Sequence, residues 1–182
     1  MSSFIRRITL LLCVCAVAFT VLFLTLRLDV FLTLAITFGT IAYHFLMRLI
    51  VGLLYDRALH NHVSPDHRWF RVSSAETRLY DLLRVRRWKR FLPSYTPSDF
   101  DPRLHSWQQI AGAMCQAELV HETILPLCFL PVLASVRFGH LPVFLITSVF
   151  SAVQEVPFII LQRYNRPRVL ALAARLQARR RG

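Results

Sequence analysis

Four apolar runs constrain this chain before anything else does. Residues 8–26, 30–54, 117–136 and 141–161 are each close to the roughly twenty residues an α-helix needs to cross about 30 Å of hydrocarbon. In lipid only a helix or a closed barrel satisfies its own backbone polar groups, and continuous apolar runs of this length read as helices. The expected fold is therefore an all-α integral membrane protein with about four transmembrane helices, forming a single membrane domain over 1–182. Apolar residues make up 55% of the sequence, above the roughly 45–50% of soluble domains, which agrees with that class.

The first run follows Arg6 and Arg7 and continues eight residues past Ala18, which fits an uncleaved anchor better than a cleaved signal peptide. The second carries His44 and Arg48. Arg48, near the end, is expected to snorkel to the interface, and His44 to make an interhelical hydrogen bond. Pro126 and Pro131 predict a kinked or partly unwound third span, because each removes a backbone donor and crowds the preceding turn. The fourth carries Gln154 and Glu155 before Pro157.

Between the second and third runs, residues 55–106 are polar and basic. Ser73 with Glu76 reads as a capping box opening an amphipathic helix to about Trp88, and Ser106 with Gln109 as a second box opening the third span. Pro93, Pro97 and Pro102 mark an extended linker. After the fourth run, Pro167 suits the first turn of a new helix over 167–181, apolar at Leu170, Leu172 and Leu176 and basic at Arg175, Arg179, Arg180 and Arg181. Both amphipathic helices are expected to lie on lipid head groups.

The charge balance, 22 basic residues against 10 acidic, points to anionic lipid or a phosphate-bearing substrate. With four spans, the basic segments share one side and the short turns at Arg27 and Arg137 the other. The positive-inside rule then gives N-in/C-in, a multi-pass protein of the cell membrane with its active face cytoplasmic. Nucleic acid is not expected, since no recognition motif is present. The four cysteines lie in apolar runs without zinc-site spacing, so buried thiols and no disulfide framework are expected.

Polar chemistry concentrates at 115–122. Glu118, His121 and Glu122 stand at i, i+3 and i+4, on one face of a helix. On the N-in topology, Gln154, Glu155 and the cluster Arg163, Tyr164, Asn165, Arg166 and Arg168 approach the same leaflet. His121 is the candidate for proton transfer, with a neighbouring carboxylate to hold its tautomer. Equally, Glu118 and Glu122 can form ion pairs with Arg163 and Arg166 that only hold two spans together. Glu118 and His121 have the Glu-x-x-His form of carboxylate metal sites, but no second copy is present and no metal is expected. His60, His62, Asp66 and His67 form a second cluster that could bind a metal, but at a membrane-surface turn it is read as solvated.

The run Gln162-Arg163-Tyr164-Asn165-Arg166-Pro167-Arg168, with Ala117-Glu118-Leu119-Val120-His121 upstream and further likeness at Trp69-Phe70 and Trp88-Lys89, resembles the glycosyl-4,4'-diaponeurosporenoate acyltransferase family over 69–176. The resemblance implies an integral membrane enzyme that esterifies a sugar hydroxyl of a glycosylated carotenoid with a fatty acyl chain, the final step of a staphyloxanthin-type pathway. A related glycolipid is an alternative acceptor. Joined to the residue chemistry, this gives His121, Glu118 and Asn165 as catalytic candidates: His121 takes the hydroxyl proton, Glu118 orients it, and Asn165 or an arginine stabilises the oxyanion. Glu122, Arg163, Tyr164, Arg166, Arg168, Trp88, Lys89 and Glu155 are the candidate substrate contacts. The partners expected are the lipid bilayer, a glycolipid acceptor and an acyl-CoA or acyl-carrier-protein donor. An acyl thioester serves as co-substrate, with no cofactor. The competing class is a non-catalytic membrane protein with a basic lipid- or partner-binding cytoplasmic face.

Overall fold

The structure, a computed structural model, describes residues 2–92 and 96–181. Its helices are α1 (Ser2–Leu26), α2 (Asp29–Leu59), α3 (Ser74–Leu82), α4 (Val85–Trp88), α5 (Trp107–Leu127), α6 (Leu130–Phe138) and α7 (Leu141–Arg181), with 3-10 turns at Arg68–Phe70, Lys89–Phe91 and Pro97–Phe100. No strand occurs among the described residues. Four stretches are long and apolar enough to cross a membrane: Phe4–Leu26, Asp29–Leu59, Trp107–Phe138 and Leu141–Arg179. Pro93 lies outside the described residues, as do the side chains of Arg180 and Arg181.

The chain divides into two compact units. One joins α1 and the first part of α2, to Leu53, with Thr123–Glu155; the other joins Leu54–Glu122 with the chain from Val156 onward. In the first unit, large apolar side chains such as Leu10, Leu11, Val14, Val149 and Phe150 are exposed, which suits a surface solvated by lipid. Threonine hydroxyls of α1 and α2 are satisfied locally: Thr9, Thr20, Thr33, Thr37 and Thr40 each donate to the carbonyl four residues back. Phe19 stacks on Phe38 with ring centres 5.2 Å apart, joining α1 to α2. Tyr43 donates to the Leu127 carbonyl (2.9 Å), where the third span breaks between α5 and α6. Pro126 and Pro131 flank that break, because neither can supply the backbone donor a continuous helix needs.

Two expectations in this unit do not hold. Arg48 does not reach outward: it is bonded to Glu155 (2.5 Å), to the Ser151 hydroxyl (2.8 Å) and to the His44 carbonyl (3.0 Å). A carboxylate within reach on α7 is a better partner than the interface. Among the described residues His44 makes no interhelical hydrogen bond: it is buried, and neither ring nitrogen finds a partner there; the same is true of the buried Ser148 hydroxyl.

In the second unit both capping boxes form. Ser73 and Glu76 exchange bonds at the start of α3, and Ser106 and Gln109 do so at the start of α5. The helix expected to run to Trp88 is interrupted where Arg84 takes a left-handed backbone (φ 51°) between α3 and α4. Gly112 lets the segment around Asn61 pack on α5, since a Cβ there would lie 2.7 Å from the Asn61 carbonyl oxygen. Asn61 is further tied by its backbone N–H donating to Gln116 (2.8 Å). No new helix begins at Pro167, because α7 runs unbroken through Pro157 and Pro167. Buried Tyr164, Arg166 and Ala173 hold the helix on both sides of Pro167, which offsets the single donor that a proline removes.

Candidate active site

The second unit gathers most of the expected site residues. His67 caps the turn Arg68–Phe70 by accepting from the Trp69 N–H, and the turn presents three successive carbonyls to α7. Arg163 donates to those of Trp69 (3.3 Å) and Arg71 (3.2 Å), and Arg166 to that of Phe70 (2.5 Å). The capping box of α3 sets Glu76 against Arg163, and α5 sets Glu118 against both guanidiniums. Arg163 bonds Glu118 (2.5 Å) and Glu76 (2.8 Å), and Arg166 bonds the other Glu118 oxygen. Glu118 and Arg166 are 0% and 1% exposed, so two acids balance two bases where an unpaired charge would be costly. For Glu76, burial alone would raise the carboxyl pKa; the Arg163 guanidinium and the bonds from Ser73 overcome this and hold it at about 2.

Both Glu118 oxygens are thus engaged by arginine. His121 is half-buried, its ring stacked flat on Phe158 with centres 4.8 Å apart and planes 10° apart. Glu122 accepts from the Trp69 indole (2.8 Å). Asn165, between the two arginines in sequence, accepts from Lys89 through its carbonyl oxygen (2.6 Å), which directs its amide donors elsewhere. Tyr164 packs with Tyr80 and Val85, and its ring carries two cations, Arg168 at 3.6 Å and Lys89 at 5.0 Å. Burial, with Arg168 and Arg86 nearby, lowers the Lys89 pKa. Trp88 donates to the Leu83 carbonyl. Glu155 belongs to the first unit, paired with Arg48.

Two cavities open in this unit. The larger, about 760 Å³, is lined by Arg71, Tyr80, Arg163, Tyr164, Arg166 and Arg168 together with Asp66, Phe70 and apolar residues. The smaller, about 370 Å³, is lined by Val63, Ser64, His67, Trp69, Phe70 and Leu119. Among the described residues no three His, Cys, Asp or Glu side chains are grouped to hold a metal.

Sequence reasoning missed the carbonyls of 69–71, which carry no residue-type signal, and Phe158, one apolar residue among many. Glu76 was legible as half of a capping box, but nothing in its spacing marked its second role as partner to Arg163.

Comparison with known families returns a match. The family model described as glycosyl-4,4'-diaponeurosporenoate acyltransferase (CrtO) covers residues 66–175, more than half of the chain. Comparison with curated proteins and with solved structures returns none.

Proposed function

Because the chain belongs to the glycosyl-4,4'-diaponeurosporenoate acyltransferase family, an acyltransferase family of carotenoid biosynthesis, we propose that it esterifies a sugar hydroxyl of a glycosylated carotenoid, or of a related glycolipid, with a fatty acyl chain. What carries this reading is that the matched residues 66–175 are those that build the Glu118 network and contain His121, Tyr164 and Asn165. His121 accepts the hydroxyl proton as the sugar oxygen attacks the carbonyl of an acyl-CoA or acyl-carrier-protein thioester. The tetrahedral oxyanion takes a hydrogen bond from the Asn165 amide, and collapse expels the thiolate, which recovers the proton from His121.

Glu118 acts as a positioning residue in this scheme. By pairing with Arg163 and Arg166 it fixes the stretch of α7 that presents Tyr164 and Asn165. We place the reaction at the cytoplasmic leaflet of the cell membrane with both termini inside, on the positive-inside rule. A second reading, in which the patch only clamps helices, is favoured by the engagement of both Glu118 oxygens.

The deciding experiment reconstitutes the purified protein with an acyl thioester and a glycosylated carotenoid and follows ester formation by mass spectrometry. Formation of the ester by the wild type supports acyl transfer. Folded protein that makes none would favour the clamp.

A further inference from the structure

The larger cavity is more basic than the paired network requires. Of the four arginines lining it, Arg163 and Arg166 are balanced by Glu76 and Glu118. Arg71 and Arg168 have no carboxylate partner among the described residues, and Asp66 is the acid they share the cavity with. Tyr164 lines the cavity, and its ring carries a further cation: the Lys89 Nζ lies 5.0 Å from the ring centre, which Arg168 covers at 3.6 Å. Two like charges on one ring repel, and the lowered Lys89 pKa, which owes more to burial than to Arg168 and Arg86, registers that repulsion too. A bound anion would relieve it. Guanidinium and ammonium donors converging this way suit phosphate oxygens.

The smaller cavity is apolar, walled by Val63, Trp69 and Leu119, and Phe70 lines both. Arg166 fixes Phe70 there, donating to its carbonyl at 2.5 Å and stacking 4.9 Å from its ring centre. We propose that the two cavities together take one amphiphile, its phosphate held by Lys89 and Arg168 and its alkyl chain laid across Phe70 into the apolar groove. Its role as acyl donor rests on the acyl-transfer reading above; its binding does not. The chemistry is shared by two sources, a coenzyme A thioester and a phospholipid.

The test uses the full chain in dodecyl maltoside, a detergent without phosphate, and begins with binding in the absence of acceptor. The probes are palmitoyl-CoA, phosphatidylglycerol and the N-acetylcysteamine thioester of palmitate, which lacks phosphate. At least one phosphate-bearing probe should bind about tenfold or more tighter than the phosphate-free thioester, the scale of a charge-assisted hydrogen bond. The Lys89→Gln/Arg168→Gln double variant, changed at partly or fully exposed side chains, should bring that ratio to within about twofold. The phosphate probe whose affinity falls identifies the source. Equal wild-type affinities, or a preference that survives the double variant, would overturn the phosphate seat. Phe70→Leu should shift the preferred acyl-chain length, and an unchanged preference would overturn the placement of the chain. Phosphate-dependent binding by a protein that forms no ester would instead sink the acyl-transfer reading and leave the seat standing.

Discussion

The Arg48–Glu155 pair in one unit and the Glu118–Arg163–Arg166 network in the other bury charge among apolar helices by different means. Among the described residues Arg48 is paired with the Glu155 carboxylate, and its side chain is still 26% exposed. Beside it in sequence on α2, one turn earlier, His44 is left with two unpartnered nitrogens. In the other unit Glu118 has two guanidiniums, Arg163 has a second acid in Glu76, and three backbone carbonyls complete the set. A network satisfied in this way fixes geometry more sharply than a single pair, and a reacting group needs fixed geometry.

The sharpest way to break the contrast is to strand a charge. Arg166→Ala should cost about 3–5 kcal/mol by leaving Glu118 buried without its inner partner. The Glu118→Gln/Arg166→Met double change should recover much of that loss in thermal unfolding in detergent. No recovery would mean that the network is more than a balance of charge. Arg48→Ala should cost less, about 2 kcal/mol, because that side chain is 26% exposed and the fold does not close off the pair, although Glu155 itself is 3% exposed. Equal losses at the two sites would erase the distinction.

Asn165→Ala probes geometry without stranding a charge on α7. It should leave the unfolding temperature within a few degrees of wild type and slow ester formation at least about tenfold, as loss of one oxyanion contact does. Unchanged turnover would remove Asn165 from the chemistry. The smallest effect concerns acid. With the Glu76 carboxyl at about 2 in the folded protein against an ordinary 4.5, its contribution is complete above about pH 4.5 and is lost as pH falls toward 2. Glu76→Gln should therefore flatten the acid limb of a stability profile between those values. A limb of wild-type steepness would assign it to other groups.

How far the sequence could be read follows the range of the interactions. Four helices long and apolar enough to cross a membrane, and both capping boxes, are local patterns, and the described residues carry them. The pairing of Glu118 and Glu122 with Arg163 and Arg166 was one of two open readings; Glu118 takes both arginines and Glu122 takes the Trp69 indole instead, since spacing brings a face together but does not choose its partner. Arg48 finds Glu155 107 residues away, a distance at which sequence patterns are silent. Pro167 misled because its first-turn preference is a local tendency, and burial of Tyr164, Arg166 and Ala173 overrides it. Of the two cations on the Tyr164 ring, Arg168 stands four residues along on α7, and Lys89 comes from packing of the 3-10 turn Lys89–Phe91 against α7.

The most direct measurement sets buried His44 and half-buried His121 against each other. Ester formation per folded molecule is compared for wild type, His121→Ala and His44→Leu, with acyl donor and glycosylated acceptor supplied to reconstituted protein. The expected result is loss of ester with His121→Ala and near wild-type yield with His44→Leu, whose partnerless nitrogens the leucine removes. Equal loss in both variants, or full yield without His121, would contradict the assignment of proton transfer to the Glu118 side of the molecule.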